Sequence, residues 1–119
     1  MQSYKDLDLW KESINLVIEI YSITKFFPKE EIYGLVSQLR RSAVSIPSNV
    51  AEGSGRKNTK EFIQFLWIAN GSISEVETQL EIAKRLNYYE ENNELLNKIK
   101  YVRKMLLGLI SALENKLQK

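Results

Sequence analysis

The chain has 119 residues, with 17 Lys or Arg against 15 Asp or Glu, and it contains neither histidine nor cysteine. This length fits one domain with a core of its own. Without histidine or cysteine there are no disulfides, no His-based catalytic systems and almost none of the usual zinc or iron sites. We therefore expect a protein that is not an enzyme and holds no cofactor or metal. The catalytic alternative is carboxylate-only metal chemistry with Glu52, Glu75 and Glu77.

No apolar run approaches the roughly 20 residues that cross a bilayer, and the N-terminal sequence lacks the basic-then-apolar pattern of a signal peptide. We predict a cytoplasmic protein without membrane contact.

The net charge of +2 is distributed unevenly along the chain, because residues 34–60 carry +4 and residues 95–119 carry +5. These segments form either a basic patch for an anionic partner or an ordinary solvated face.

The first helix is predicted over residues 8–26, and it ends before Pro28 because proline disfavours helical geometry at the preceding residue. The second is predicted over residues 31–54, where Gly53 and Gly55 suit a helix C-terminus. Pro47 lies inside this helix and cannot donate to the carbonyl of Ala43, so we expect a bend or a bridging water there. Apolar residues at helical spacing predict the core faces. They are Trp10, Ile14, Val17 and Tyr21 in the first helix, and Leu35, Leu39, Ala43, Ile46 and Val50 in the second.

The third helix is predicted over residues 59–87, with Asn58 as N-cap and Glu61 completing a capping box. The fourth is predicted over residues 92–118. Together the four segments predict one domain, residues 1–119, that is all-α and folds as an antiparallel up-down-up-down four-helix bundle. The predicted core faces are Phe62, Leu66, Ala69, Ile73, Val76, Leu80 and Ala83 in the third helix, and Leu95, Ile99, Val102, Leu106, Leu109 and Leu113 in the fourth.

Two helices carry more apolar surface than a single buried stripe requires. A second stripe on the first helix and two residues of the third predict self-association of the chain. The alternative is that neighbouring side chains cover them within the monomer. The predicted interface residues are Leu9, Leu16, Ile20, Ile23, Ile63 and Trp67.

The segment FPKEEIYGLVSQLRRSAVSIPSNVAEGSGR, with EFIQFLWIANGSISEVETQLEIAKRLNY after it, resembles a known family. These are the small bundle proteins encoded by intervening sequences within bacterial 23S rRNA genes. The resemblance implies a bacterial homopentamer without established enzymatic activity. A related group, the accessory proteins of diversity-generating retroelements, forms similar pentamers whose basic surface contacts nucleic acid and a reverse transcriptase.

Candidate site residues fall into two further groups. Clustered cations would bind RNA phosphates, although no RNA-reading motif is present. The predicted RNA-binding residues are Arg40, Arg41, Arg56, Lys57, Lys60, Lys98 and Lys104. A polar row beside the core of the second helix, together with Arg103, predicts structural contacts between helices or subunits. This structural motif comprises Gln38, Ser45, Pro47, Asn49, Glu52, Gly53 and Arg103.

Arg103 is expected to pair with Glu52 or Glu75 rather than with RNA. The sequence thus predicts a non-enzymatic homo-oligomer, a pentamer by resemblance, that binds RNA or another nucleic acid. The alternative is a purely structural scaffold that binds a protein partner and has no affinity for nucleic acid.

Overall fold

A computed structural model describes residues 3–118, so Met1, Gln2 and Lys119, the ends of the predicted 1–119 domain, lie outside the described residues. Four long helices follow one another: α1 Asp8–Thr24, α2 Leu35–Ser54, α3 Thr59–Arg85 and α4 Asn93–Leu117. Short 3₁₀ turns at Tyr4–Asp6 and Lys29–Glu31 precede α1 and α2. The predicted all-α four-helix fold is confirmed.

The helices form a four-cornered bundle in which α1 and α3 each pack against both α2 and α4. Consecutive helices are antiparallel because their connections are too short for a return along the bundle. The α2–α3 pair makes the most extensive contact. The bundle measures 50 × 25 × 20 Å, so its sides are long surfaces parallel to the helices.

The core faces of α2 and α3 are those that the spacing predicts. Leu39, Ala43, Ile46 and Val50 of α2 are completely buried, and on α3 only Phe62 of the predicted stripe remains partly exposed. On α4 the pattern holds from Leu95 to Leu106, after which Ile110 is buried in place of the predicted Leu109 and Leu113.

The predicted core face of α1 is wrong by about a quarter turn. Leu9, Leu16 and Ile20 are buried, whereas the predicted Trp10, Ile14 and Val17 are only partly covered and Tyr21 is exposed. Both stripes are apolar, so hydrophobicity alone does not distinguish them. The buried face also includes two hydroxyls that bond within the helix, since Ser13 Oγ donates to the Leu9 carbonyl and Thr24 Oγ1 to the Ile20 carbonyl, each at 2.7 Å.

The helix ends differ from the prediction where local backbone chemistry decides them. α2 begins at Leu35, after Gly34 leaves the helical region, and Glu31 Oε1 accepts a hydrogen bond from the Leu35 amide at 3.1 Å. Asn58 Oδ1 caps α3 by accepting from the Glu61 amide at 2.9 Å. α3 stops at Arg85 because Asn87 adopts a left-handed φ of 61°, which permits a Schellman-type ending.

α2 continues through Pro47 as one helix to Ser54. The helix ends where the two glycines predict, with Gly53 in its last turn and Gly55 as its C-cap, although no glycine within residues 3–118 has a positive φ. Gly53 is also a contact point between helices. A Cβ there would lie 2.7 Å from the Cβ of Phe65 and 2.9 Å from Cδ1 of Phe62, so only hydrogen fits.

Candidate interaction surfaces

A groove runs between α1 and α2 on the side away from the core. One end is a cavity of about 280 Å³ whose walls are almost entirely apolar. Tyr4 and Trp10 close it at the N-terminal end, with their rings edge to face at 5.4 Å. Its other lining residues are Ile14, Val17, Val44, Pro47, Ser48 and Ala51.

The groove continues past Val44 into a second cavity of about 500 Å³. Three aromatic or aliphatic side chains there are strongly exposed: Tyr33 by 95%, Ile32 by 55% and Tyr21 by 39%. Arg40 and Arg41 are the charged residues among its walls, and no carboxylate lines it. We call the two cavities together the α1–α2 groove.

Arg40 belongs to the wall of this groove rather than to its open surface. Its Nε donates to Thr24 Oγ1 at 3.0 Å, and its guanidinium lies 4.5 Å from the centre of the Tyr21 ring. The side chain therefore ties α2 to α1. Its neighbour Arg41 is exposed and makes no ion pair within residues 3–118.

A second apolar surface lies on the outer side of α3. Trp67 is 47% exposed and Ile68 53% exposed. Gly71, one turn further along, has open space at its Cβ position. These three residues, which we call the α3 face, do not belong to the hydrophobic core of the described chain.

Most of the residues predicted to mediate self-association are buried within the monomer, so that prediction is wrong for them. Leu9, Leu16, Ile20 and Ile63 are between 0 and 9% exposed and belong to the core of the monomer, so they are not available to a partner. Ile23 packs partly against that core. The physical reason for the α1 residues is the quarter-turn shift of that helix, which moves the supposed outer stripe inward, whereas Ile63 belongs to the buried face of α3. Trp67 alone keeps its predicted exposed position.

The seven predicted RNA-binding residues do not form one patch. Arg40 is already engaged by a hydroxyl and an aromatic ring. Two others form ion pairs with carboxylates: Arg56 with Glu52 at 2.6 Å, and Lys98, whose Nζ lies 3.0 Å from Glu19 Oε2. Arg56 also lies over the Phe65 ring at 4.7 Å. The remaining four are exposed and have no ion-pair partner within residues 3–118. They are Arg41, Lys57, Lys60 and Lys104.

The polar row of α2 is in part an inter-helix hydrogen-bond network. Asn49 Nδ2 donates to the carbonyl and the hydroxyl of Ser45, and Ser72 of α3 donates to the same hydroxyl at 2.9 Å. Gln38 and Glu52, at the two ends of the row, are exposed. The row therefore joins α2 to α3 at its middle.

Arg103 makes the structural contact expected of it, with a different partner. Its Nη1 donates to Glu77 Oε1 at 2.6 Å and its Nη2 to Ser74 Oγ at 2.9 Å. The predicted partners Glu52 and Glu75 are wrong, because Arg103 approaches the side of α3 on which Ser74 and Glu77 lie. The two hydrogen bonds of the Arg103 guanidinium therefore link α4 to α3.

Tyr88 joins the α1–α2 and α3–α4 connections at one end of the bundle. Its hydroxyl donates to Glu31 Oε2 at 2.8 Å, and its ring packs against Phe27 at 5.7 Å. The hydrogen bond to Glu31, with desolvation as a second cause, raises the pKa of Tyr88 above its ordinary value. One carboxylate thus caps α2 and anchors the α3–α4 connection.

No group of three or more acidic, histidine or cysteine side chains is arranged to hold a metal ion among residues 3–118. Within the same residues, every helix is too short or too polar to span a membrane.

Comparison with known proteins identifies the family. The family model described as 23S rRNA-intervening sequence protein matches residues 5–108. The chain belongs to that family. The resemblance of the YGL-to-AEGSGR segment is thereby confirmed, and this segment spans the start of α2 to the α2–α3 turn in the intervening-sequence protein.

A solved structure similar to this intervening-sequence protein comes from Bacteroides thetaiotaomicron. It is described as a protein of unknown function from the S23 ribosomal protein family. The two chains share 25% sequence identity with a TM-score of 0.79, and the match covers 87% of this chain and 95% of that one. Comparison with curated proteins finds no significant match.

Several surface residues escape the sequence reasoning. The α1–α2 groove is lined by Val44, Ile32 and Tyr33, which lie outside the inner apolar stripe of the second helix. A signal is nevertheless present in the sequence. Val44 is an apolar residue outside the stripe that contains Ala43 and Ile46. Ile32 and Tyr33 are apolar residues next to Gly34, near the predicted start of the helix.

Proposed function

We propose that this intervening-sequence protein is a non-enzymatic scaffold that assembles with copies of itself into a closed ring. The main support for this assembly is the pair of exposed apolar surfaces, the α1–α2 groove and the α3 face, which have no partner within the described chain. Large exposed apolar patches mark interaction sites. The lack of histidine and cysteine supports a role without catalysis.

The position of the two surfaces favours a ring. The groove lies between α1 and α2, whereas the α3 face lies on a helix that does not contact α1. An interface between two different surfaces is heterologous, and it generates a ring when its rotation closes. Five subunits, which the family resemblance implies, is the stoichiometry that we propose.

Light scattering after gel filtration tests this assembly. We expect a mass about five times that of the 13.9 kDa chain. Val44→Glu in the groove and Trp67→Glu on the α3 face should each give monomers, because either places a charge in an apolar contact. Asn97→Glu, which adds the same charge on an exposed part of α4, is the matched control and should leave the mass unchanged.

Mixing the two monomeric variants distinguishes the proposed interface from a symmetric one. The Val44→Glu chain retains an intact α3 face and the Trp67→Glu chain an intact groove, so a mixture should form heterodimers and nothing larger. A wild-type protein that remains monomeric at high concentration would overturn the assembly. A full-size Val44→Glu oligomer would overturn the role of the groove.

RNA binding is the second candidate function. It is supported by Lys57 and Lys60, which are exposed beside Arg56 at the α2–α3 turn. We propose that this turn contacts RNA phosphates, whereas Arg40 and Lys98 serve the fold. A bundle with no affinity for nucleic acid, which binds a protein partner instead, is the alternative outcome of the test.

Fluorescence anisotropy with a labelled single-stranded RNA tests the second candidate over a range of salt concentrations. Each phosphate contact contributes about 0.7 to the salt-dependence slope for single strands. The double variant Lys57→Glu, Lys60→Glu should therefore weaken binding and lower the slope by about 1.4. Lys25→Glu with Lys29→Glu is the control of equal charge. Equal loss in both, or no binding by the wild type at low salt, would contradict the proposal.

A further inference from the structure

An aromatic cleft lies at the end of the bundle where α1 ends and α4 begins. Its volume is about 330 Å³, and it is separate from the α1–α2 groove. Residues from the end of α1 and from the α3–α4 connection form its walls. The six that matter here are Ile23, Phe26, Tyr88, Tyr89, Glu90 and Asn92.

Phe26 has an unusual position in this cleft. Its side chain is 85% exposed, although the adjacent Phe27 is buried at 6%. A phenyl ring left in water forgoes a large hydrophobic stabilisation. The rings of Tyr88 and Tyr89 are partly buried, so the cleft combines the exposed ring of Phe26 with two partly buried rings.

The surroundings of the cleft favour a cation. Its lining includes no lysine or arginine, and Glu90 is exposed without an ion-pair partner within residues 3–118. Lys84 pairs with Glu91 at 3.2 Å and Lys98 with Glu19 at 3.0 Å, whereas Lys25, next to Phe26 in the chain, is exposed but does not line the cleft. Desolvation, followed by the charges of Glu91 and Glu81, raises the pKa of Tyr89, as expected in a negative local potential.

We propose that the aromatic cleft binds an arginine side chain from a basic segment of a partner protein. A guanidinium group is planar, stacks on aromatic faces and remains charged at all physiological pH values. Its methylene stem would pack against Ile23, its charge would face Glu90, and its plane would lie against Phe26. The inference goes beyond the proposed assembly and beyond RNA binding, because the ligand has the opposite charge and the site uses other residues.

Backbone amide NMR with defined peptides tests the cleft. The probe is a capped peptide with two arginines separated by glycine, and its control replaces both arginines with citrulline, a neutral isostere. The arginine peptide should shift the amides of residues 22–26 and 88–92, whereas the citrulline peptide should not. Equal shifts with both peptides, or shifts confined to other residues, would overturn the proposal.

Variants separate aromatic recognition from simple charge attraction. Phe26→Ala and Phe26→Leu should each weaken arginine-peptide binding about two- to fivefold, the range for an exposed cation–π contact. Both should remain folded because the side chain is exposed. Tyr33→Ala, which removes an equally exposed ring from the α1–α2 groove, should have no effect. Unchanged affinity in both Phe26 variants would overturn the proposal, as would spermidine binding that matches the peptide's in affinity and location.

Discussion

Two glycines inside helices have opposite surroundings, and this contrast shows how single residues set the packing of the bundle. Gly53 lies where α2 meets Phe62 and Phe65 of α3, and a Cβ there would come within 2.7 Å of another Cβ. Gly108 of α4 is exposed, and a Cβ there would have no neighbour within 4 Å. The same substitution should therefore act in opposite directions at the two positions.

Gly53→Ala should destabilise the fold by about 1–3 kcal/mol, because the contact between α2 and α3 must widen to admit the methyl group. Gly108→Ala should instead stabilise it by about 0.5–1 kcal/mol, since alanine has the higher helix propensity. Urea unfolding followed by circular dichroism measures both. A neutral effect of Gly53→Ala would show that the helix contact is looser than the distances indicate.

At the level of the elements, the connections between helices are fixed to one another rather than left as independent loops. Glu31 accepts a hydrogen bond from the Leu35 amide at one carboxylate oxygen and from the Tyr88 hydroxyl at the other. The α1–α2 and α3–α4 connections are therefore joined by a single carboxylate. Disruption of one connection should loosen the other.

Tyr88→Phe tests this coupling. It should lower the melting temperature at neutral pH, because it removes the hydroxyl and leaves Glu31 without that donor. Tyr33→Phe, which changes a 95% exposed residue, is the control and should have no effect. A melting temperature equal to that of the wild type would contradict the coupling.

The raised pKa of Tyr88 gives the same contact a pH dependence. Because the folded-state pKa lies above the unfolded value, the stabilisation is fully present below about pH 10 and is lost as the pH rises through the folded-state pKa. The difference in stability between wild type and Tyr88→Phe should therefore shrink in strongly alkaline solution. Urea unfolding of both proteins at several pH values measures it, and a difference that grows with pH would refute the assignment.

At the scale of the whole molecule, packing is uneven around and along the bundle. The α2–α3 pair has the most extensive contact and includes the Ser45–Ser72 hydrogen bond at 2.9 Å. No residue of α4 after Ile110 is fully buried and only Leu113 packs partly against the core, so the last two turns of the helix are largely exposed. Local stability should follow this distribution.

Native-state hydrogen exchange should reveal the gradient. The slowest amides should lie in the middle of α2 and α3, where opening requires global unfolding, and residues 111–117 should exchange first. Removal of residues 114–119 should accordingly leave the melting temperature almost unchanged. Strong protection of the α4 C-terminus in the monomer would contradict this description of its packing.

The contrast between α2 and α1 shows how far the sequence predicts this fold. One apolar stripe flanked by polar residues defines the core side of α2, so its burial follows directly from the spacing. α1 has two adjacent apolar stripes, and only the positions of its neighbouring helices decide between them. The partner of Arg103 is equally non-local, because Glu75 and Glu77 are close in sequence but lie on different sides of α3.

The predicted interaction residues depended on that same choice. Because the buried face of α1 lies a quarter turn from the predicted one, Leu16 and Ile20 belong to the core, whereas Trp10 and Ile14 line a groove that hydrophobic spacing does not predict. The cations show a second limit. Charge counts along the chain do not reveal that Arg40 and Arg56 are already occupied by contacts within the bundle.

The place of Trp10 in the groove wall makes the molecule its own optical reporter. Its two tryptophans lie on different surfaces, Trp10 in the α1–α2 groove and Trp67 on the α3 face. With Trp67 replaced by phenylalanine, indole emission comes from the groove alone. Any occupant that excludes water from the groove would then shift that emission to shorter wavelength, so association could be followed in real time without a label.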